Sequence, residues 1–336
     1  MKSHNLDQLS DDHIVSTSRF TFHSNLWVNL HHILYQWAQR EVAHSISSRS
    51  PVVDVPEMGH VDPLSPQHQR TWRATLDLYQ RQVIIRDLCS DRVLRVLRHR
   101  LTCMDDMDEE ASPVLVSDVV AALRAVMPIY SASWWRAHEG ANRRWILQLL
   151  PQLADAETWL ATRLAQVYGG DWPAEPIRVD LAAYASWLGA YTIREPDQPD
   201  HITIASTDPA NQDGGALEIL FHEASHIIAS WMGLRGEEGP LEEALAAAYM
   251  ARRETPPPDL GHVIIFYSTG ELTRQWLHES GMQEGYEPYA DRLGLYTRSL
   301  SWTIYRQALA THWQPCLTGT IDRTTALHRI IEALTH

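Results

Sequence analysis

Residues 219–228, "ILFHEASHII", set two histidines and a glutamate inside an otherwise apolar run. Polar side chains are costly in such a setting unless something satisfies them. On a helix, residues four apart lie one turn apart on the same face, so His222 and His226 can aim imidazole nitrogens at one point. That is how two ligands of one zinc ion are arranged. Glu223 lies beside them, where its carboxylate can take a proton from a zinc-bound water without being a ligand itself. The HExxH spacing therefore predicts Zn2+ as cofactor and hydrolysis as the chemistry, with His222 and His226 as metal ligands and Glu223 as general base.

The same ten residues resemble the active-site helix of the zincin metallopeptidases. The preceding "HITIAS", residues 201–206, resembles the edge strand that in such enzymes runs beside the cleft and pairs with extended substrate. The resemblance covers about 176–280, and its specific part is the helix. It implies a zincin-like catalytic unit acting on a peptide or small amide substrate.

A catalytic zinc usually takes three protein ligands. The metzincin continuation needs Gly at 229 and His at 232; Ala229 and Met232 stand there, which excludes that subclass. Gluzincins take a Glu from a later helix, and the sequence offers two. Glu243, in "LEEALA", resembles the "NE" helix of thermolysin-like and aminopeptidase-like enzymes, although Glu242 stands where Asn is usual. Glutamates in a first turn are also ordinary partners of the helix dipole. Glu271, in "HVIIFYSTGELTR", sits in the middle of an apolar helical run, where burial calls for a strong partner, though Arg274 could pair with it from three residues on. Desolvation favours Glu271 and leaves Glu243 open. The resemblance also implies a Tyr or His that donates to the developing oxyanion. Tyr267, one turn before Glu271, and His262, at the start of that helix, are the candidates. Their ordinary readings are a core aromatic and a surface histidine.

Two further stretches carry unusual polar residues. In "FHSNLWVNLHHILY", Asn29 and His32 interrupt an apolar helical face, so His31 or His32 could support a site or line a cleft, although a satisfied core histidine is the commoner outcome. In "YEPYADR", Tyr286, Tyr289 and Arg292 could contact substrate, but nothing in the spacing requires it.

The elements that must position these residues follow from periodicity. Helical spacing is expected over 25–45, over 66–102 as one or two helices, and over 115–127 and 140–168. "IRVDLAAYA", "GAYTI" and "HITIAS" read as short strands bounded by turn residues. The helix bearing the motif is expected from about Ala216 to Met232, with Asp213 as N-cap and Gly233 as stop, followed by helices from Pro240 and from Leu260 to His278. The acidic run "DDMDEEASP" reads as a solvated loop. The fold class expected is α+β, mostly helical, with a small sheet next to the HExxH helix. A helical N-terminal portion, 1–170, would precede a zincin-like catalytic portion, 171–336, in one compact unit with a cleft between.

Composition limits the function. The formal net charge of -14 argues against a grip on nucleic acid or on anionic membrane, which needs clustered Lys and Arg. Three scattered cysteines make neither a disulfide framework nor a Cys-rich zinc knuckle. No apolar leader opens the chain and no run reaches the roughly 18 apolar residues of a membrane span, so a cytoplasmic setting is expected. The function expected is a gluzincin-type metallohydrolase, in the first place a peptidase. The alternatives are a zinc hydrolase of a non-peptide amide or ester, and a zincin-like binding protein without turnover. An intact Glu223 speaks against the last.

Overall fold

The computed structural model describes residues 12–46, 64–103, 113–185, 189–195, 198–229, 239–257 and 259–335. The chain is mostly helical with one small mixed sheet. Strands β1 (His13–Ser16) and β2 (Phe20–His23) precede helices α1 (Leu26–Ile46), α2 (Pro66–Leu78), α3 (Arg92–Thr102), α4 (Val114–Tyr130) and α5 (Arg136–Tyr168). Strands β3 (Ile177–Ala182), β4 (Ala190–Glu195) and β5 (Gln198–Ala205) follow. Then come α6 (Gly214–Ile228), α7 (Pro240–Met250), α8 (Leu260–Glu279), α9 (Tyr289–Arg292), α10 (Leu300–Ala308), α11 (Gln314–Leu317) and α12 (Arg323–Leu334). The acidic run and the expected helix stop at Gly233, with Met232, lie outside the described residues.

Two compact units divide the chain, and the division differs from the expected cut at 170. Residues 1–147, 178–193 and 201–209 form the first, and 148–177, 194–200 and 210–336 the second. Most of β3 to β5 therefore clusters with the N-terminal helices, while the HExxH helix belongs to the second unit. The sheet order is β1-β2-β3-β5-β4, with β1 and β2 antiparallel and β3 and β5 parallel in the register Val179↔Ile202 and Leu181↔Ile204. "HITIAS" is thus an interior strand with neighbours on both sides, not the edge strand that the resemblance implied. The short alternating segments "HIVS" and "FTFH" supply β1 and β2, which sequence periodicity did not single out. Among the described residues, one helical stretch, Val114–Tyr168, is long and apolar enough by length and composition to cross a membrane, a test that core helices also pass, and 39% of its most apolar window is buried. Val116, Val119, Leu123, Val126 and Ile129 of α4 pack into the core of the first unit.

A buried charge network crosses the first unit. Asp180 on β3 is fully buried and accepts from Arg98 Nη2 on α3 at 2.9 Å and from Arg178 Nη2 at 2.9 Å. Burial alone would raise the Asp180 carboxyl, but Arg178 and Arg98 hold it well below the usual range. Arg178 also reaches Asp12 at 2.8 Å, so both carboxylates share one guanidinium. His31 and His32 are bonded inside the same unit: the Tyr79 hydroxyl lies 2.8 Å from His31 Nδ1, and the Tyr191 hydroxyl 2.9 Å from His32 Nε2, while His32 Nδ1 is buried without a partner among the described residues. Asn29 donates to the Leu181 carbonyl at 2.8 Å and accepts from the Ala183 N–H at 2.8 Å, which ties α1 to the end of β3. The polar line on α1 is therefore structural wiring of its own unit. Removing one partner of such a network leaves a buried charge uncompensated, so Asp180→Ala is expected to lower the unfolding free energy by about 3–5 kcal/mol. Urea denaturation checks this; a loss below about 1 kcal/mol would show that Arg98 does not depend on Asp180.

Candidate metal centre

Helix α6 carries the motif and is buried over nearly its whole length. It starts abruptly. Asp213, expected as its N-cap, makes no capping hydrogen bond and sits at φ 51°, a backbone region that favours glycine. Gly215 follows where a Cβ would come within 2.3 Å of the Ala210 carbonyl oxygen, so only glycine lets the helix begin this close to the preceding turn.

Within α6 the Nε2 atoms of His222 and His226 are 3.3 Å apart. Two nitrogens each about 2.05 Å from one tetrahedral ion would be separated by about 3.3 Å. The third ring comes from the first turn of α8. His262 packs with its centroid 5.0 Å from that of His226 and 5.5 Å from that of His222. Among the described residues, His222, His226 and His262 form a group whose candidate ligand atoms all lie within 4.8 Å of one another, and it could hold a metal ion. Burial pushes His222 and His226 well below the ordinary imidazole range and His262 down to about 4, with the neighbouring rings adding to the first two. Three neutral rings with lone pairs on offer are what a cation needs. The fit lies in the Nε2 atoms that face each other at the spacing of a shared ion, while His222 Nδ1, on the other side of the ring, is buried with no hydrogen-bond partner among the described residues.

Helix geometry explains which predicted ligands reach the group. Glu271 is nine residues beyond His262 on α8, hence about 13.5 Å further along the axis and about half a turn round it. A helix that turns His262 to the triad turns Glu271 away. Glu271 instead accepts from Arg274 Nε at 3.1 Å and is only 11% exposed, so the arginine supplies the strong partner that burial demands. Glu243 is exposed on α7, and its neighbour Glu242 accepts from the Gly239 N–H at 3.4 Å, the ordinary work of a first-turn acid. Neither expected glutamate thus joins the group that could hold a metal ion; the third member is His262, which the sequence suggests as an oxyanion donor. Tyr267 is five residues beyond His262 and so about 140° round the helix. Its hydroxyl donates to Gln314 Oε1 at 2.9 Å rather than toward the triad.

The residue that does share the His262 face, four positions on, is Phe266. Its ring lies 4.0 Å from that of His222 and 4.7 Å from that of His262, centroid to centroid. Tyr289 stacks on Phe266 at 6.4 Å, and Trp302 on α10 meets both Phe266 and His262 at just over 6 Å. Glu223, the expected base, follows His222 on α6 and is buried, 5% exposed.

Sequence reading missed Glu218, one turn before His222 and 1% exposed. Its Oε2 accepts from the Tyr286 hydroxyl at 2.6 Å and the Tyr289 N–H at 2.9 Å, so the "YEPYADR" stretch is fastened to the HExxH helix through one carboxyl group. The available signal was its place four residues before His222, on the same stripe of the helix. Arg292, the third candidate from that stretch, donates to the Ala210 carbonyl at 2.9 Å. Comparisons with protein-family models, with curated proteins and with solved structures find no match to this chain.

Burial pushes the Glu218 carboxyl up from 4.5 to about 7, against the lowering effect of Tyr286, the Tyr289 N–H and Arg292. A folded pKa above the unfolded one means that the contribution to stability is full below about pH 4.5 and is lost as pH rises through 7. Glu218→Gln keeps an acceptor for Tyr286 and cannot ionise. Across pH 5 to 8 the variant is expected to avoid a decline on the order of 2–3 kcal/mol that the wild type shows. Denaturant titrations at several pH values check this, and parallel curves for the two proteins would rule it out.

Proposed function

We propose that this chain is a zinc-dependent hydrolase, in the first place a peptidase, with His222, His226 and His262 as the metal ligands and Glu223 as general base. The observation that carries the reading is the convergence of the three imidazoles, with 3.3 Å between two Nε2 atoms on an HExxH helix. Soft and borderline cations suit imidazole donors, and zinc suits three of them in a tetrahedral site that keeps a fourth position open. When bound, zinc supplies Lewis-acid polarisation of a water and of a carbonyl group near neutral pH.

The protein's own contribution is positioning and proton transfer. His222 and His226 present Nε2 lone pairs from successive turns of one helix, and His262 presents a ring nitrogen from the next. Phe266 covers the His222 ring and keeps water from that side of the group. Glu223 takes the proton of the attacking water and passes it to the leaving amine, a transfer worth roughly 10^2–10^4 in rate. The oxyanion donor is left to groups other than Tyr267, whose hydroxyl is held by Gln314. We read the setting as cytoplasmic and the substrate as a peptide or small amide.

Metal analysis of the purified protein tests the reading. About one equivalent of zinc is expected in the wild type and in Glu271→Ala and Glu243→Ala, and loss of it in His222→Ala and His262→Ala. Glu223→Gln should keep the metal and lose turnover of a peptide library by about 10^2-fold or more. Full-length protein that holds no zinc and takes up none would sink the proposal. Zinc retained by His262→Ala and lost by Glu271→Ala would return the third position to Glu271.

A further inference from the structure

Which substrates the triad accepts can be argued from what surrounds its open side. His222 is buried and backed by Phe266, whereas His226 and His262 are only partly buried, so the group is approached from the side of these two rings. Trp302 borders the His262 ring. Trp302 is half-buried, meets the His262 ring edge-on at 6.2 Å and the Phe266 ring at 6.1 Å, and donates its indole N–H to Asp259 Oδ2 at 3.2 Å. That hydrogen bond fixes the indole plane, since Asp259 immediately precedes α8, the helix that carries His262.

The indole is held from behind by a second layer of aromatic rings. Tyr296 lies 6.4 Å from Trp302, and Tyr289 stacks on Phe266 with an interplanar angle of 12°. Arg306 lies over the Tyr267 and Tyr296 rings and pairs with Asp291 at 3.1 Å, so this cation is engaged within the aromatic layer rather than at the histidines. The Asp259 carboxylate acts on the His262 ring. An apolar or aromatic substrate group would meet a fixed, partly exposed aromatic face there, while the Asp259 carboxylate beside it disfavours an acidic group.

We infer that Trp302, with Phe266 behind it, forms an aromatic subsite beside the triad and selects substrates with an uncharged, apolar or aromatic group next to the bond that is cut. The inference rests on the metal-centre reading above. Trp302 acts as a specificity-determining residue, since it touches His262 through its ring and is not one of the groups that bind metal or move protons.

Small hydroxamates report on this subsite without needing turnover, because their metal-binding head is constant while the attached group changes. The zinc-loaded full-length protein is titrated with acetohydroxamate, benzohydroxamate and succinyl monohydroxamate, and zinc content is measured alongside. Benzohydroxamate is expected to bind at least about tenfold more tightly than acetohydroxamate, and the succinyl compound most weakly. Trp302→Ala should bring the benzo and aceto compounds to within about twofold of each other with zinc content unchanged. Trp302→Phe, which keeps a ring and loses the bond to Asp259, should retain most of the difference. This second variant also covers the case in which the alanine protein does not fold. An aromatic preference that survives Trp302→Ala, or tightest binding by the succinyl compound, overturns the subsite. Wild-type protein that holds no zinc overturns the metal centre itself and the subsite with it, and the zinc measurement tells that failure from the other.

Discussion

Close packing of α6 against α8 is the contact on which the candidate centre depends, because it brings a third imidazole to two that already share a helix face. The distance between two packed helices is set by the side chains at the contact. Here those are small. Ser225 on α6 lies 3.3 Å from Thr269 on α8, hydroxyl to hydroxyl, and Gly270 sits where a Cβ would come within 2.8 Å of Pro288 and 3.1 Å of Glu218 Oε1. Hydroxyls can be buried at such a contact when they satisfy themselves locally. Ser225 donates to the Phe221 carbonyl and Ser268 to the Ile264 carbonyl, each at 2.7 Å and each four residues back along its own helix. Ser268 then accepts from the Trp313 indole at 2.8 Å. A larger residue at 225 or 270 would move α8 outward and take His262 with it.

The same burial sets the electrostatics. Desolvation is the leading cause of every large shift around the triad, and it acts in opposite senses on the two kinds of group: it keeps the histidines neutral and pushes Glu218 toward its protonated form. Neutral imidazoles are competent ligands at pH 7, whereas imidazolium ions would repel both one another and a cation. Glu218, raised to about 7, carries only part of a negative charge near neutral pH and serves as an acceptor that holds residues 286–289 against α6. Tyr289, fixed in this way, supports Phe266, and Phe266 supports His222.

How much of this could be read from the sequence depends on how local the cause is. The four-residue spacing of His222 and His226 is a property of one helix, and so is the apolar periodicity that places α1, α4, α6 and α8. The third ligand is a property of two helices. On desolvation alone Glu271 looks in need of a partner, and the partner turns out to be Arg274, three residues on, a pairing visible in sequence but not rankable without knowing which face of α8 meets α6. His262 and Glu271 lie on opposite faces, so once one face is known the choice is forced. The strand "HITIAS" shows a similar limit. Its strand character is local, while its interior place between β3 and β4, and its grouping with the N-terminal helices, come from pairings across the chain. The short segments of β1 and β2 carry too little pattern to stand out before β3 gives them a neighbour.

An imidazole in place of a carboxylate in the third position, as proposed, would change the charge at the centre. Two histidines and a glutamate would offset part of a divalent cation's charge, whereas three histidines offset none of it. The acids near the triad do not make up the difference as ligands. Glu271 is paired with Arg274, Glu218 is turned to Tyr286 and the Tyr289 N–H, and Asp259 receives the Trp302 indole. In the proposed reaction this leaves Glu223 as the carboxylate on the motif helix with a proton to move. The ionised carboxylate is the state a general base requires. On the proposed reading, His262 in place of Glu271 and Glu223 as base would belong to one electrostatic arrangement: a ligand set without an anion, beside a carboxylate kept for proton transfer.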